Sequence, residues 1–255
     1  MVSALMAAAC AAAVFGVQTG YRLYRDLFPD VTVLKHSYPV VLGETEDGNR
    51  LVFRFQKNRP AQWRSLGQLP RKVIAAILMA EDSSFFQHPG YSAEAIRAAW
   101  EHNQKPGVKI KRGGSTITQQ VVKNLFLSRE KKMTRKVREL LLAVELERKV
   151  SKKRILEIYL NIADWGGGIY GLEKASQRYF QKGAAELSPK EAAILAFMLP
   201  NPDRYRYSIR DGELTSFASR RVEAILERMW KTGQISDEEY ASTGAASIDE
   251  IPSSL

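Results

Sequence analysis

The sequence predicts a mainly α-helical fold, on three observations. Val73, Ile74, Ile77 and Leu78 recur at i, i+1, i+4 and i+5, the spacing of one helix face, and this helix leads directly into Glu81. From Met133 to Lys149 an apolar stripe of Val137, Leu140, Leu141 and Val144 stands opposite a polar face of Lys132, Arg135, Lys136 and Glu139. Ser188-Pro189-Lys190-Glu191 supplies a capping hydroxyl, a proline suited to a first turn and an acid to close a capping box. It opens the apolar run Ala192–Leu199, which stops at Pro200-Asn201-Pro202.

Taken in order, residues 1–20 carry no charge and have about the length of one membrane-spanning helix, although much of the segment is alanine. No basic stretch precedes it, which argues against a cleaved signal peptide. Ala7-Ala8-Ala9 also lacks the large aliphatic residue expected ahead of a lipidated Cys10. An uncleaved anchor over 1–20 is therefore expected. Residues 21–60 read as a juxtamembrane connection, with an extended Tyr38–Gly43 and a period-two run at Leu51–Phe55. Helical signals dominate from Pro70. Ser236 with Glu239 offers one more helix start inside a C-terminal tail over 236–255, whose last ten or so residues are expected to fray.

A chain of 255 residues with 45% hydrophobic content buries a full core, and its ordinary charge content excludes wholesale disorder. The single Cys10 excludes an internal disulfide framework and any multi-cysteine metal site. Charge is concentrated. Between Lys105 and Arg154 there are 16 Lys/Arg against four Glu, a balance of +12, whereas the whole chain carries +10. Such a window suits a polyanionic partner, whether nucleic acid, lipid headgroups or substrate phosphates, and as solvated helix faces it needs none.

Four polar clusters interrupt the helical pattern. Glu81-Asp82 follows an apolar helix end, with Phe85, Phe86, His88 and a Pro89-Gly90 turn close behind. A carboxylate among apolar and aromatic neighbours is held neutral to higher pH, as a general base near neutrality requires. The bland alternative is a solvated helix end, though acids there oppose the macrodipole. Arg112-Gly113-Gly114-Ser115-Thr116-Ile117-Thr118-Gln119-Gln120, followed by Lys123-Asn124, offers close backbone approach and a row of hydroxyls and amides suited to sugars and phosphates. It also reads as a helix cap at Ser115 or Thr116, and both readings can hold together; without a Gly-Lys-Ser/Thr ending it is not a nucleotide loop. The Lys132/Arg135/Lys136/Glu139 face, with Arg138 alongside, is either a salt-bridge ladder or a grip on a pyrophosphate and a divalent metal. Lys153-Arg154-Ile155-Leu156-Glu157-Ile158-Tyr159-Leu160-Asn161 reads as an ordinary amphipathic helix capped by Ser151.

In this order, EDSSFFQHPG, GGSTITQQVVKN, RKVRELLLAVELE and KKRILEIYLN make the chain resemble the peptidoglycan glycosyltransferases, in particular monofunctional transglycosylases without a transpeptidase domain. NIADWGGGIYGLEKASQRYF, the LPNP turn and Arg220-Arg221 also fit, so the resemblance spans roughly residues 66 to 232. It implies a lysozyme-like domain over 61–235, with a larger globular lobe and a smaller membrane-proximal one. It implies polymerisation of lipid II into β-1,4-linked strands, with inversion at the anomeric carbon and release of polyprenyl pyrophosphate. Glu81 is then the base acting on the acceptor hydroxyl, and Glu139 the second essential carboxylate, set beside the donor pyrophosphate and a divalent cation (Mg²⁺ or Mn²⁺). Lys123, Arg135 and Arg138 would neutralise the diphosphate. Ser115, Thr116, Gln119 and Gln120 would line the substrate, and Asp82 and His88 would support the first motif. No organic cofactor is expected. The implied partners are lipid II, the growing strand, the membrane and other cell-wall synthesis proteins, and the implied place is the bacterial inner membrane, with the catalytic domain outside the cytoplasm.

Three rivals are weaker. A lytic hydrolase has no use for a cationic grip on a diphosphate. A nucleic-acid binder would interleave aromatics with its cations. A dead scaffold would not need Glu81 and Glu139 intact.

Overall fold

The structure, a computed structural model, describes residues 15–20, 28–108, 112–130, 132–210 and 213–245. The anchor expected over 1–20 thus lies outside the described residues except for 15–20, which are helical and exposed. Among the described residues no helix is long and apolar enough to cross a membrane.

The fold is mainly helical, as expected. Its main helices are α1 (Arg71–Glu81), α2 (Ala93–Gln104), α3 (Ile117–Phe126), α4 (Met133–Lys149), α5 (Lys152–Ile162), α6 (Leu172–Phe180), α7 (Pro189–Met198), α8 (Ser216–Lys231) and α9 (Asp237–Ala245). The apolar run after Ser188 becomes α7, with Ser188 and Glu191 closing the capping box and Pro189 at the first position. Being apolar on every side, α7 is buried on every side, packed by α1, α6, α8 and α9. A second group, α3 against α4 and α5, stands beside it. Ser236 and Glu239 exchange backbone hydrogen bonds at the start of α9, so the expected start is real and the helix packs on α7 and α8.

Two expectations need correction. Residues 28–60, read as a connection, are folded against the core. A turn at Val31–Lys35 buries Val31 and Leu34, and β1 (Tyr38–Glu44) pairs antiparallel with β2 (Leu51–Gln56), slipping register between Val41 and Gly43. Arg154 of α5 fastens this segment by donating to the carbonyls of Leu34 (3.0 Å) and Ser37 (2.6 Å). On α4 the buried face is Glu139, Leu142, Ala143 and Leu146, whereas Val137 and Leu141 are exposed. The helix is rotated from the simplest apolar reading because Glu139 enters the interior with its own cations, which removes the penalty that would otherwise hold it outside.

Candidate active site

Glu81 ends α1, and its carboxyl is enclosed by protein although part of the residue's surface remains open. Gln120, in the first turn of α3, donates its side-chain amide to Glu81 Oε2 at 2.5 Å. The Tyr159 hydroxyl reaches from α5 to 3.5 Å from the same oxygen and from Gln120 Oε1. Burial pushes the Glu81 carboxyl above its ordinary range, while the Gln120 hydrogen bond, Lys123 and Tyr159 pull it partly back. Burial also lifts the Tyr159 phenol well above its usual value, so near neutrality Tyr159 keeps its proton and donates.

Asp82 does different work. Its carboxylate accepts from His88 Nε2 (2.9 Å) and from the backbone N–H of Ile117 (3.0 Å). Gly90 N–H donates to His88 Nδ1 (3.2 Å), which assigns the ring proton to Nε2, pointing at Asp82. The Thr116 hydroxyl donates to the Gly90 carbonyl (2.7 Å). Gly90 sits at φ +98°, with room for no Cβ, since one would stand 2.8 Å from the Ala143 carbonyl oxygen. The first and second sequence clusters are thus laced together, with Asp82 and His88 as fasteners.

The second cluster divides. Thr116 is the N-cap of α3 and Gln119 closes its capping box, and both are buried. Ser115 and Gln120 face the site instead, Ser115 accepting from Lys136 Nζ at 2.8 Å. Of the four residues expected to line substrate, Thr116 and Gln119 serve as the cap of α3.

Glu139 is 2% exposed and takes Arg135 Nη1 on one oxygen at 2.6 Å and Lys136 on the other. Between this cluster and Glu81 sits Lys123. Desolvation pushes its ammonium pKa down; Glu139 and Glu81 hold it up, and Lys136 and Arg135 add to the downward push. Lys123 therefore feels both carboxylates, joining the two halves of the site electrostatically. Arg138 is half-buried, one position before Glu139 and so about 100° around α4 from it.

The donor set is poor for a divalent cation. Among the described residues no three His, Cys, Asp or Glu side chains converge, and both Glu139 oxygens are already engaged by cations. Those residues do not fit a metal held by protein ligands alone. Lys123, Arg135 and Lys136 do fit a polyanion with diphosphate chemistry.

Sequence reasoning missed Tyr159, because an aromatic on an amphipathic helix reads as core. It also missed the buried Thr118–Glu147–Lys152 chain, at 2.5 and 2.7 Å, which ties α3 to α4 and to the start of α5.

The transglycosylase family model matches residues 48–230. Similar proteins include the biosynthetic peptidoglycan transglycosylase of Alcanivorax borkumensis, 48% identical over 163 residues, covering 63% of this chain and 66% of that one. The one from Paraburkholderia phytofirmans is 42% identical over 186 residues, covering 70% and 74%. That of Janthinobacterium sp. is 44% identical over 179 residues, covering 68% and 75%.

Proposed function

The chain belongs to the transglycosylase family, with peptidoglycan glycosyl transfer in bacterial cell-wall biosynthesis as its activity, and on that premise we propose a mechanism in which Glu81 is the general base. It takes the proton from the 4-hydroxyl of the acceptor N-acetylglucosamine of lipid II. That oxygen attacks C1 of the N-acetylmuramic acid ending the growing strand, on the face opposite the leaving group. A β-1,4 bond forms, the C1–O bond to polyprenyl pyrophosphate breaks, and the anomeric centre inverts. The observation that carries this reading is the enclosure of the Glu81 carboxyl, which raises its pKa, near the Lys123–Arg135–Lys136 cluster. A carboxylate held basic stands beside cations suited to a leaving diphosphate.

Glu139 fixes the orientation of Arg135 and Lys136 toward the donor, and Arg138 and Ser115 add to the same grip. A divalent cation would supply further neutralisation of the diphosphate; nothing in the steps above runs through it. Hydrolysis by a pair of acids is less well supported, since Asp82, next to Glu81 in the chain, is engaged by His88 and the Ile117 amide.

The membrane reading rests on two exposed apolar stripes. Helix α2 presents Ile96 and Trp100 one turn apart, and α4 presents Met133, Val137 and Leu141 at four-residue spacing. Arg97, Lys105, Arg112 and Lys132 flank them, the mixture that settles on an anionic lipid surface. This surface stands for the smaller, membrane-proximal lobe, and the α1–α7–α8 body for the larger, lysozyme-like one. The catalytic domain works at the outer face of the inner membrane, where other cell-wall synthesis proteins act.

The deciding experiment supplies purified lipid II to wild type and Glu81→Gln side by side. Polymer from wild type alone is expected. Cleavage of preformed glycan without polymer from wild type would defeat the reading.

A further inference from the structure

A cavity of about 710 Å³ lies on the far side of α5 from Glu81. Tyr159 and Asn161 are two residues apart on that helix, hence roughly 200° around its axis. Tyr159 faces Glu81, while Asn161 lines the cavity and holds both backbone groups of Arg64 at 2.8 Å. Nothing in the glycosyl-transfer step uses this space.

Resting on the transglycosylase reading above, we propose that the cavity binds the peptide part of the peptidoglycan precursor, as an extended chain along the free edge of β1. A side-chain amino group of that peptide would lie at Asp164 and Asp203 and a carboxylate at Lys174.

The strand edge comes first. Six consecutive residues, Pro39 to Glu44, line the cavity. Side chains of a strand alternate between faces, so a consecutive run means that the cavity meets the strand along its edge. Among the described residues β1 pairs only with β2, leaving the other edge with main-chain donors and acceptors to offer. An extended peptide uses such an edge. The volume falls within the roughly 300–1,000 Å³ range of small-ligand sites, which suits a few residues and not a long segment.

The charges select the ligand further. Glu44 is already paired with Arg129 at 2.8 Å. Asp164 and Asp203 each spend one oxygen on a loop amide, of Gly166 (2.8 Å) and Gly167 (3.1 Å), and keep the other. Lys174 is exposed and makes no ion pair among the described residues. Two carboxylates and one ammonium remain on offer, which matches a zwitterionic peptide and not a phosphate. Burial, and then Asp203, push the Asp164 carboxyl upward, a shift that an arriving ammonium relieves.

The test titrates wild type calorimetrically with the peptide released from peptidoglycan by an amidase, its newly freed N-terminus acetylated to restore the amide it forms in the precursor, and carrying neither sugar nor lipid. The same titration is run on Lys174→Glu, on Lys174→Glu/Asp203→Asn, and with the peptide's side-chain amine acetylated as well. Saturable binding to wild type is expected, weakened about tenfold or more by each change, and retained by Glu81→Gln. Absence of binding to wild type, or binding indifferent to both the variants and acetylation, overturns the proposal. Lipid II polymerisation is measured in the same preparations. A wild type that polymerises without binding peptide sinks only this inference, whereas one that does not polymerise sinks the glycosyl-transfer reading.

Discussion

Gln120 donates its side-chain amide to Oε2 of Glu81 across 2.5 Å, tying the first turn of α3 to the last residue of α1. The hydrogen bond steadies the charged form of a carboxylate, which burial disfavours. Gln120 thus holds the proposed base in place and sets how basic it becomes.

Replacing Gln120 by Leu removes that donor and lets burial dominate. The acid limb of the kcat/KM profile should move to higher pH, with activity several-fold down near neutrality and recovering in alkaline buffer. A profile that keeps its shape while falling uniformly would mean that Gln120 merely packs.

Glu81→Gln should lower polymerisation by roughly 10²–10⁴, the usual contribution of general base catalysis. Its effect on stability has the opposite sign. A carboxyl whose folded pKa lies above its unfolded one contributes stability that is fully present below the unfolded value and lost as pH rises through the folded value. At pH 7 the variant is therefore expected to melt above wild type, by an increment on the order of 1 kcal/mol, which shrinks toward about pH 4. Thermal melts at the two pH values check the sign.

Glu139→Gln leaves Arg135 and Lys136 without their buried counter-charge. Removing one partner of such a pair costs about 3–5 kcal/mol, and the isosteric amide should hold the loss to the lower end. Donor-site function should fail with it. Because the protein ligands do not make a metal cage, EDTA, Mg²⁺ and Mn²⁺ should leave the substrate-free melting temperature unchanged. A rise with either ion would establish a protein-held site.

Trp100→Glu with Val137→Glu should weaken binding to anionic vesicles about tenfold, with an unchanged melting temperature because both side chains are exposed. Cosedimentation measures it, and equal binding by the double variant would remove these stripes from the membrane contact.

The helices were legible because their caps and spacings are local. Ser188 with Glu191, and the apolar spacing before Glu81, needed no tertiary context. The orientation of α4 was not legible, since Val137 and Leu141 look like core until Glu139 is seen to enter the interior with its cations. The site divided in the same way. Glu81 and the basic face were visible as residue types in an unusual place. The cap at Thr116 was visible as one reading beside a substrate contact, because both ask for the same hydroxyl, whereas the part of Gln119 in closing the capping box was not. Tyr159 was invisible, because its meaning depends on a carboxylate 78 positions away in the chain.

Asp82 closes a ring of chain, since its carboxylate meets the Ile117 amide 35 positions on. Helix α2 and its apolar stripe hang within that ring, and only Ala99 of the helix is buried. The loop is clasped twice, by the Asp82 carboxylate on the Ile117 amide and by the Thr116 hydroxyl on the Gly90 carbonyl, so the cap of α3 and the chain beside Glu81 are held at one place. The exposed stripe of α2 and the order around Glu81 therefore depend on the same two hydrogen bonds.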